Sequence, residues 1–129
     1  MVAGGAVKLQ MDGKLDLRNE QEILMNVADM MAETFNSEST LLRVHKLAGM
    51  TNKKQHQAVY DAVLQVHFAD ATARMTKWAT DALTSYAEGD LLKTFLMGLK
   101  RFTKYPPINV NNQRRVVAQA MIDANEYCF

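Results

Sequence analysis

The hydrophobic and polar positions of the sequence repeat with helical spacing, most clearly from Asn19 to Ala48. This stretch contains no proline or glycine, and it spans about 45 Å as a helix. Asn19 with Glu22 forms a candidate capping box, and Gly49 is a candidate stop. The spacing predicts inward positions at Leu24, Val27, Ala28, Met31, Thr34, Phe35, Leu41 and Leu42.

Three further helices are predicted after this one, over residues 54–87, 91–104 and 113–124. Their candidate N-terminal caps are Thr51 or Asn52, Asp90, and Asn111 or Asn112. The third helix has the clearest apolar side, formed by Leu92, Phe95, Leu96, Leu99 and Phe102. Pro106 and Pro107 end it, because the residue before a proline avoids helical geometry.

The predicted fold is all-α, since no region alternates with the period of two that is typical of strands. Short connections favour an antiparallel up-and-down four-helix bundle over residues 19–129, with two long and two shorter helices. Residues 1–18 contain Gly13 within a charged stretch, and we expect them to be a mobile linker or lead-in.

The composition fits one soluble domain of 129 residues, 48% of them hydrophobic. A net charge of +1 gives no general attraction to nucleic acid. Cys128 has no second cysteine in the chain, which favours a reducing, cytoplasmic setting. No apolar run is long enough to span a bilayer.

A hairpin of the two long helices with its turn near Thr51 places Asp29 opposite Arg74. We predict that these two residues form a structural ion pair in the seam. Paired carboxylates for acid–base catalysis are the alternative, but a buried pair that fixes register is the more common arrangement.

Glu38 interrupts the heptad-spaced row Leu24, Met31, Glu38 and His45. We therefore expect Glu38 and His45 to be half-buried polar residues that form hydrogen bonds.

The three histidines, His45, His56 and His67, are spaced by eleven residues, but Gly49 separates the first two. Without converging Asp, Glu or Cys ligands we predict no metal site. The segment from His45 to Gly49, HKLAG, resembles the His-x-Leu-Lys-Gly pattern of histidine phosphotransfer domains, which are also four-helix bundles. A phosphotransfer module using His45 is therefore the alternative function.

The nine methionines and the basic residues of the third helix have two interpretations each. Methionine at helical spacing is favoured as core filler over an adaptable binding groove. The basic residues are favoured as a solvated face over an interfacial helix whose Phe95, Leu96 and Phe102 face lipid. The basic positions are Lys93, Lys100, Arg101 and Lys104.

No glycine-rich phosphate loop and no serine or cysteine beside a base is found in the sequence, so no catalytic or cofactor-binding residue is predicted.

Three ordered segments resemble the C-terminal extension of bacterial acyl-CoA dehydrogenases related to the mitochondrial very-long-chain type. The first, NEQEILMNVADMMAETFNSESTLLR at 19–43, is similar to an "EQ…LADMAIDIYAMES" pattern, with Ala28-Asp29 and Glu38-Ser39 at matching places. The run from Ala71 to Arg74 resembles "AAARI", and residues 114–129 resemble an "RR-IAD-LI" ending with a terminal aromatic.

The resemblance implies a non-catalytic domain that packs on the core domains of an FAD-dependent enzyme of fatty acid β-oxidation. The catalytic glutamate and the flavin pocket of that family belong to the core, so none is carried over to this chain. The resemblance also implies a homodimer, while contact with a membrane surface is an alternative without support in the residues.

Overall fold

The computed structural model describes residues 1–50 and 56–126, and this part of the chain contains helices and connections but no strand. The helices are α1 (Val2–Met11), α2 (Gln21–Ala48), α3 (Gln57–Tyr86), α4 (Gly89–Phe102) and α5 (Val110–Ala124). The all-α prediction is confirmed, but the described residues form five helices where four were predicted. Within the same ranges, no helix is long and apolar enough to cross a membrane.

The additional helix, α1, lies in the segment that we expected to be a mobile lead-in. Val2 and Ala6 are buried in a hydrophobic core, and the Tyr86 hydroxyl donates a hydrogen bond to the Val2 carbonyl oxygen at 2.9 Å. Gly13 lies two residues after the end of α1. Its φ of 68° is a left-handed conformation that glycine adopts readily. The sequence analysis missed α1 because its pattern is short and its anchoring contacts come from distant residues.

The ends of the helices differ from the predicted ones by a few residues. Asn109 caps α5 by accepting from the Asn112 backbone N–H, whereas Asn111 and Asn112 were the predicted caps. Asn19, predicted to cap α2, donates its side-chain amide to Asp16 at 3.1 Å, and α2 begins at Gln21. The predicted caps Thr51 and Asn52, and also Cys128, lie outside the described residues.

The chain divides into two compact units, and the long helices α2 and α3 contribute to both. The first unit contains Met1–Thr34 and Thr72–Lys104, and the second contains Phe35–Ala71 and Tyr105–Phe129. The first core is formed by Val2, Ala6, Ile23, Ala79, Ala82, Leu83 and Leu99. The core of the second unit is smaller and consists of Val44, Leu47 and Tyr60, with Leu64 packed against them.

Helix α2 buries a different face from the one that we predicted. Its buried residues are Ile23, Glu33, Val44 and Leu47. Of the predicted inward residues, Val27 packs against the first core. Six others are exposed: Leu24, Ala28, Met31, Thr34, Phe35 and Leu42. At 100° per residue, these two sets lie on roughly opposite sides of the helix. Both sides carry apolar residues, so periodicity could not decide which side packs.

Helix α4 orients its apolar side as predicted at four of five positions. Leu99 is buried, and Leu92, Phe95 and Leu96 pack against the core of the first unit. The alternative in which Phe95 and Leu96 face lipid is therefore wrong, because these side chains are already covered by protein. Phe102 is 80% exposed, against the prediction that it points inward.

Candidate docking surfaces

Arg74 on α3 forms a bidentate ion pair with Glu33 on α2 in the first unit. Its Nε and Nη2 donate to the two carboxylate oxygens at 3.0 and 2.7 Å. Glu33 is the buried charged residue of α2, whereas the Arg74 side chain is 45% exposed. A bidentate guanidinium–carboxylate pair fixes geometry as well as charge, and this one joins the two long helices.

The ion pair that we predicted for Arg74 was with Asp29, one turn earlier on α2. Asp29 is exposed, and the carboxylate that Arg74 contacts is that of Glu33. Helix α3 begins at Gln57, whereas its predicted start was near residue 54. In the structure Arg74 therefore pairs with the carboxylate one helical turn along α2 from Asp29.

Glu38 and His45, expected to be half-buried, are both exposed. They lie on the side of α2 that faces away from its buried residues, so neither is a polar member of the core. His45, His56 and His67 do not come together as ligands. Within residues 1–50 and 56–126, no group of three or more His, Cys, Asp or Glu side chains could hold a metal ion.

Two polar contacts of the second unit connect different helices. The Ser37 hydroxyl and the His67 Nε2 atom are 3.0 Å apart, which joins α2 to α3. Arg114 on α5 donates through Nη2 to both carboxylate oxygens of Asp70 on α3, at 3.0 and 2.8 Å. These contacts fix the spacing of the helices, and we assign them a structural role.

An open groove runs over the first unit beside its core. Its volume is about 380 Å³, and its lining is Met1, Val2, Ala3, Val27, Met30, Met31, Thr34, Met75, Ala79, Leu99, Phe102 and Thr103. No charged side chain is part of this lining, and four of its members are methionines. We call this feature the methionine groove. Its chemistry suits an apolar partner surface, because flexible thioether side chains adapt to irregular shapes.

A second cavity, of about 360 Å³, lies in the second unit between α2 and α3. It is lined by Ser39, Thr40, Arg43, Val44, Leu47, Tyr60 and Val63. Arg43 is its cationic member. The lining contains no carboxylate and no histidine, so the cavity brings together no acid–base pair.

Helix α2 also exposes a row of large apolar side chains. The exposed fractions are 47% for Leu24, 70% for Met31, 68% for Phe35 and 60% for Leu42. Single exposed apolar residues are common on protein surfaces, but four on one helical face form a candidate interaction surface. The sequence analysis recognised this row and assigned it to the core. It missed Glu33 and Ser37, although Glu33 stands in a run of otherwise uncharged residues, Met30 to Asn36.

The comparisons with known proteins agree with the resemblance seen in the sequence. Residues 1–101 match the family model described as acyl-CoA dehydrogenase, C-terminal domain. This match includes α1, whereas the resemblance in the sequence began near residue 19. A probable acyl-CoA dehydrogenase from Bacillus subtilis (strain 168) is 32% identical over 109 residues.

The aligned region covers 84% of this chain but only 18% of the Bacillus protein, so the chain spans less than a fifth of that relative. No solved structure matches the chain. The family match extends over more than half of the sequence, and the helical fold agrees with it. This chain belongs to the acyl-CoA dehydrogenase C-terminal domain family.

Proposed function

We propose that this chain is a non-catalytic domain that packs on the catalytic core of an FAD-dependent acyl-CoA dehydrogenase of bacterial fatty acid β-oxidation. The observation that carries the proposal is the methionine groove, which lies almost wholly within the family-matched segment. Its apolar lining remains open to solvent in this chain. Contiguous apolar surface of this kind is typical of a docking site.

Two side chains that line the groove are large, apolar and mostly exposed, as is typical of residues in protein interfaces. Phe102 lies on its lining with 80% of its surface exposed, and Met31 lines it with 70% exposed. Aromatic and methionine side chains are enriched in the centres of protein interfaces. In this proposal the partner of the groove is the dehydrogenase core, and the core and this chain are both located in the cytoplasm.

The groove does not fit the flavin that the family implies for the whole enzyme. A flavin dinucleotide needs donors or basic groups for its pyrophosphate, and the groove is lined by apolar side chains and two threonines. We therefore assign FAD to the core of the enzyme and no step of the dehydrogenation to this chain. The chain's contribution is to pack against and support that core.

The proposal is tested by mixing the purified chain with an acyl-CoA dehydrogenase core from the same genome. We expect a stable complex in a pull-down, and Phe102→Glu should weaken it at least about tenfold, or ~1.4 kcal/mol. Ile122→Glu is the matched control, since Ile122 is 69% exposed on α5 in the other unit. Failure of the wild-type chain to bind the core would contradict the proposal. So would flavin absorbance that co-purifies with the chain alone.

A further inference from the structure

The methionines of the methionine groove differ in how far they are open to solvent. Four line the groove, all within the first unit, and they are Met1, Met30, Met31 and Met75. Met30 and Met75 are half-buried, whereas Met1 is 47% exposed and Met31 is 70% exposed. A thioether that solvent reaches is also open to peroxides, which convert it to a sulfoxide. Met31 is therefore the groove methionine that a dissolved oxidant reaches most readily.

The groove offers no spare side-chain donor to a sulfoxide oxygen. Within its lining, all of it in the described part of the chain, the side-chain donors are the hydroxyls of Thr34 and Thr103. Each hydroxyl already donates to a backbone carbonyl oxygen, Thr34 to Met30 at 2.8 Å and Thr103 to Leu99 at 2.9 Å. A thioether is a weak acceptor and tolerates this environment, but a sulfoxide is polar. A partner that covered the groove would remove the water that satisfies the sulfoxide oxygen, and such a buried polar atom is costly.

We infer that Met31 is a modification site, and that its oxidation by a peroxide weakens docking at the methionine groove. With hydrogen peroxide, the thioether sulfur attacks one oxygen, an S–O bond forms and the O–O bond breaks. The sulfur loses two electrons, the peroxide gains them, and the second oxygen leaves with both hydrogens as water. The inference rests on the proposed function, because it concerns the regulation of the same groove.

Position in the groove, rather than exposure alone, distinguishes Met31. Met97 on α4 is 67% exposed, almost as much as Met31, but it is not part of the groove lining. We expect a peroxide to oxidise both residues at comparable rates. Only the sulfoxide at Met31 lies on the surface that the partner covers, so only that one should change docking. Met97 therefore provides the matched control.

Titration of the dehydrogenase core with the oxidised chain tests the inference. The chain is treated with hydrogen peroxide, which is removed before mixing. Peptide mass spectrometry sets a dose at which Met31 and Met97 gain an oxygen atom and the half-buried Met30 and Met75 do not. We expect the dissociation constant for the core to rise at least about tenfold, and repair by methionine sulfoxide reductases to restore it.

Two variants of similar side-chain volume separate the effects of the two exposed methionines. Oxidised Met31→Leu should bind the core as tightly as untreated Met31→Leu does. Oxidised Met97→Leu should lose affinity as the wild-type chain does. An equal loss in both oxidised variants would overturn the inference. So would a loss of helical circular dichroism that accompanies the loss of binding, since the cause would then be unfolding.

The same titration separates this inference from the proposed function. An untreated chain that does not bind the core contradicts the proposed function, and the inference fails with it. An untreated chain that binds, together with a chain oxidised at Met31 that binds equally well, contradicts the inference alone.

Discussion

Arg74 contacts the buried carboxylate of Glu33 through two hydrogen bonds of 3.0 and 2.7 Å, and the two residues differ in exposure. Glu33 has 9% of its side-chain surface exposed, whereas Arg74 has 45%. The Glu33 side chain is largely withdrawn from water, whereas nearly half of the Arg74 side-chain surface remains exposed. Removal of either partner should therefore have unequal consequences.

Arg74→Ala should lower the free energy of unfolding more than Glu33→Ala does. The first change leaves a buried carboxylate without these two hydrogen bonds, and we expect a loss of about 2 kcal/mol. The second leaves a guanidinium that water can reach, and we expect a loss of about 1 kcal/mol. Urea denaturation of both single variants and of the double variant measures these values and the coupling energy.

Asp29→Ala is the control for this comparison, because Asp29 is exposed one turn away on the same helix. Its effect should stay within about 0.5 kcal/mol. If the loss of stability in the double variant equals the sum of the losses in Arg74→Ala and Glu33→Ala, the two residues act independently. A large loss in Asp29→Ala would instead indicate the pair that the sequence analysis favoured.

Gly5 lies where α1 closely approaches side chains of α3 and α4. A Cβ atom at this position would lie 2.6 Å from the Tyr86 hydroxyl and 3.3 Å from the ring of Phe95. We expect Gly5→Ala to lower the melting temperature, with a loss of about 1–3 kcal/mol from overpacking. Gly4→Ala is the matched control: it has no atom within 4 Å of the added Cβ, and it should gain about 0.5–1 kcal/mol of helix propensity. An equal effect of the two substitutions would contradict the close approach.

Tyr86 should make stability depend on pH under alkaline conditions. Burial raises the pKa of its hydroxyl above the ordinary value of 10.0. Above that pH the unfolded tyrosine loses its proton before the folded one does, so stability falls as the pH rises through the folded pKa. Tyr86→Phe should remove this part of the decline in stability. At neutral pH the variant should have a free energy of unfolding lower by about 1 kcal/mol, because it lacks the hydrogen bond to the Val2 carbonyl oxygen. Thermal melts of both proteins across this pH range measure the difference, and parallel profiles would contradict it.

Asn109, rather than Asn111, should determine the stability of the start of α5. The Asn109 side chain accepts from the Asn112 N–H at 3.0 Å, so Asn109→Ala should cost about 1 kcal/mol. Asn111→Ala lies inside the helix, where alanine is favoured, and should cost nothing. Hydrogen exchange of the first turn of α5 provides the measurement. Equal protection of these amides from hydrogen exchange in the two variants would show that Asn109 is not the cap of α5.

The methionine groove and the exposed apolar row of α2 show how far the sequence could predict the candidate sites. The sequence analysis recognised the methionines and the heptad row and assigned both to the core. Composition and spacing show that a face is apolar, but a core and an interface share that property. Met31 and Phe35 could be placed on the surface only after Ile23 and Val44 had been seen to occupy the interior.

The sequence by itself determined the helical class, the main extent of α2 and the inward face of α4 from Leu92 to Leu99. These features depend on residues within a few turns of each other along the chain. Tertiary structure alone decided which face of α2 is buried, that Arg74 contacts Glu33, and that α1 packs through Gly5. Each of these features depends on a partner surface that is distant in sequence. The spacing of apolar residues along one helix contains no information about that surface.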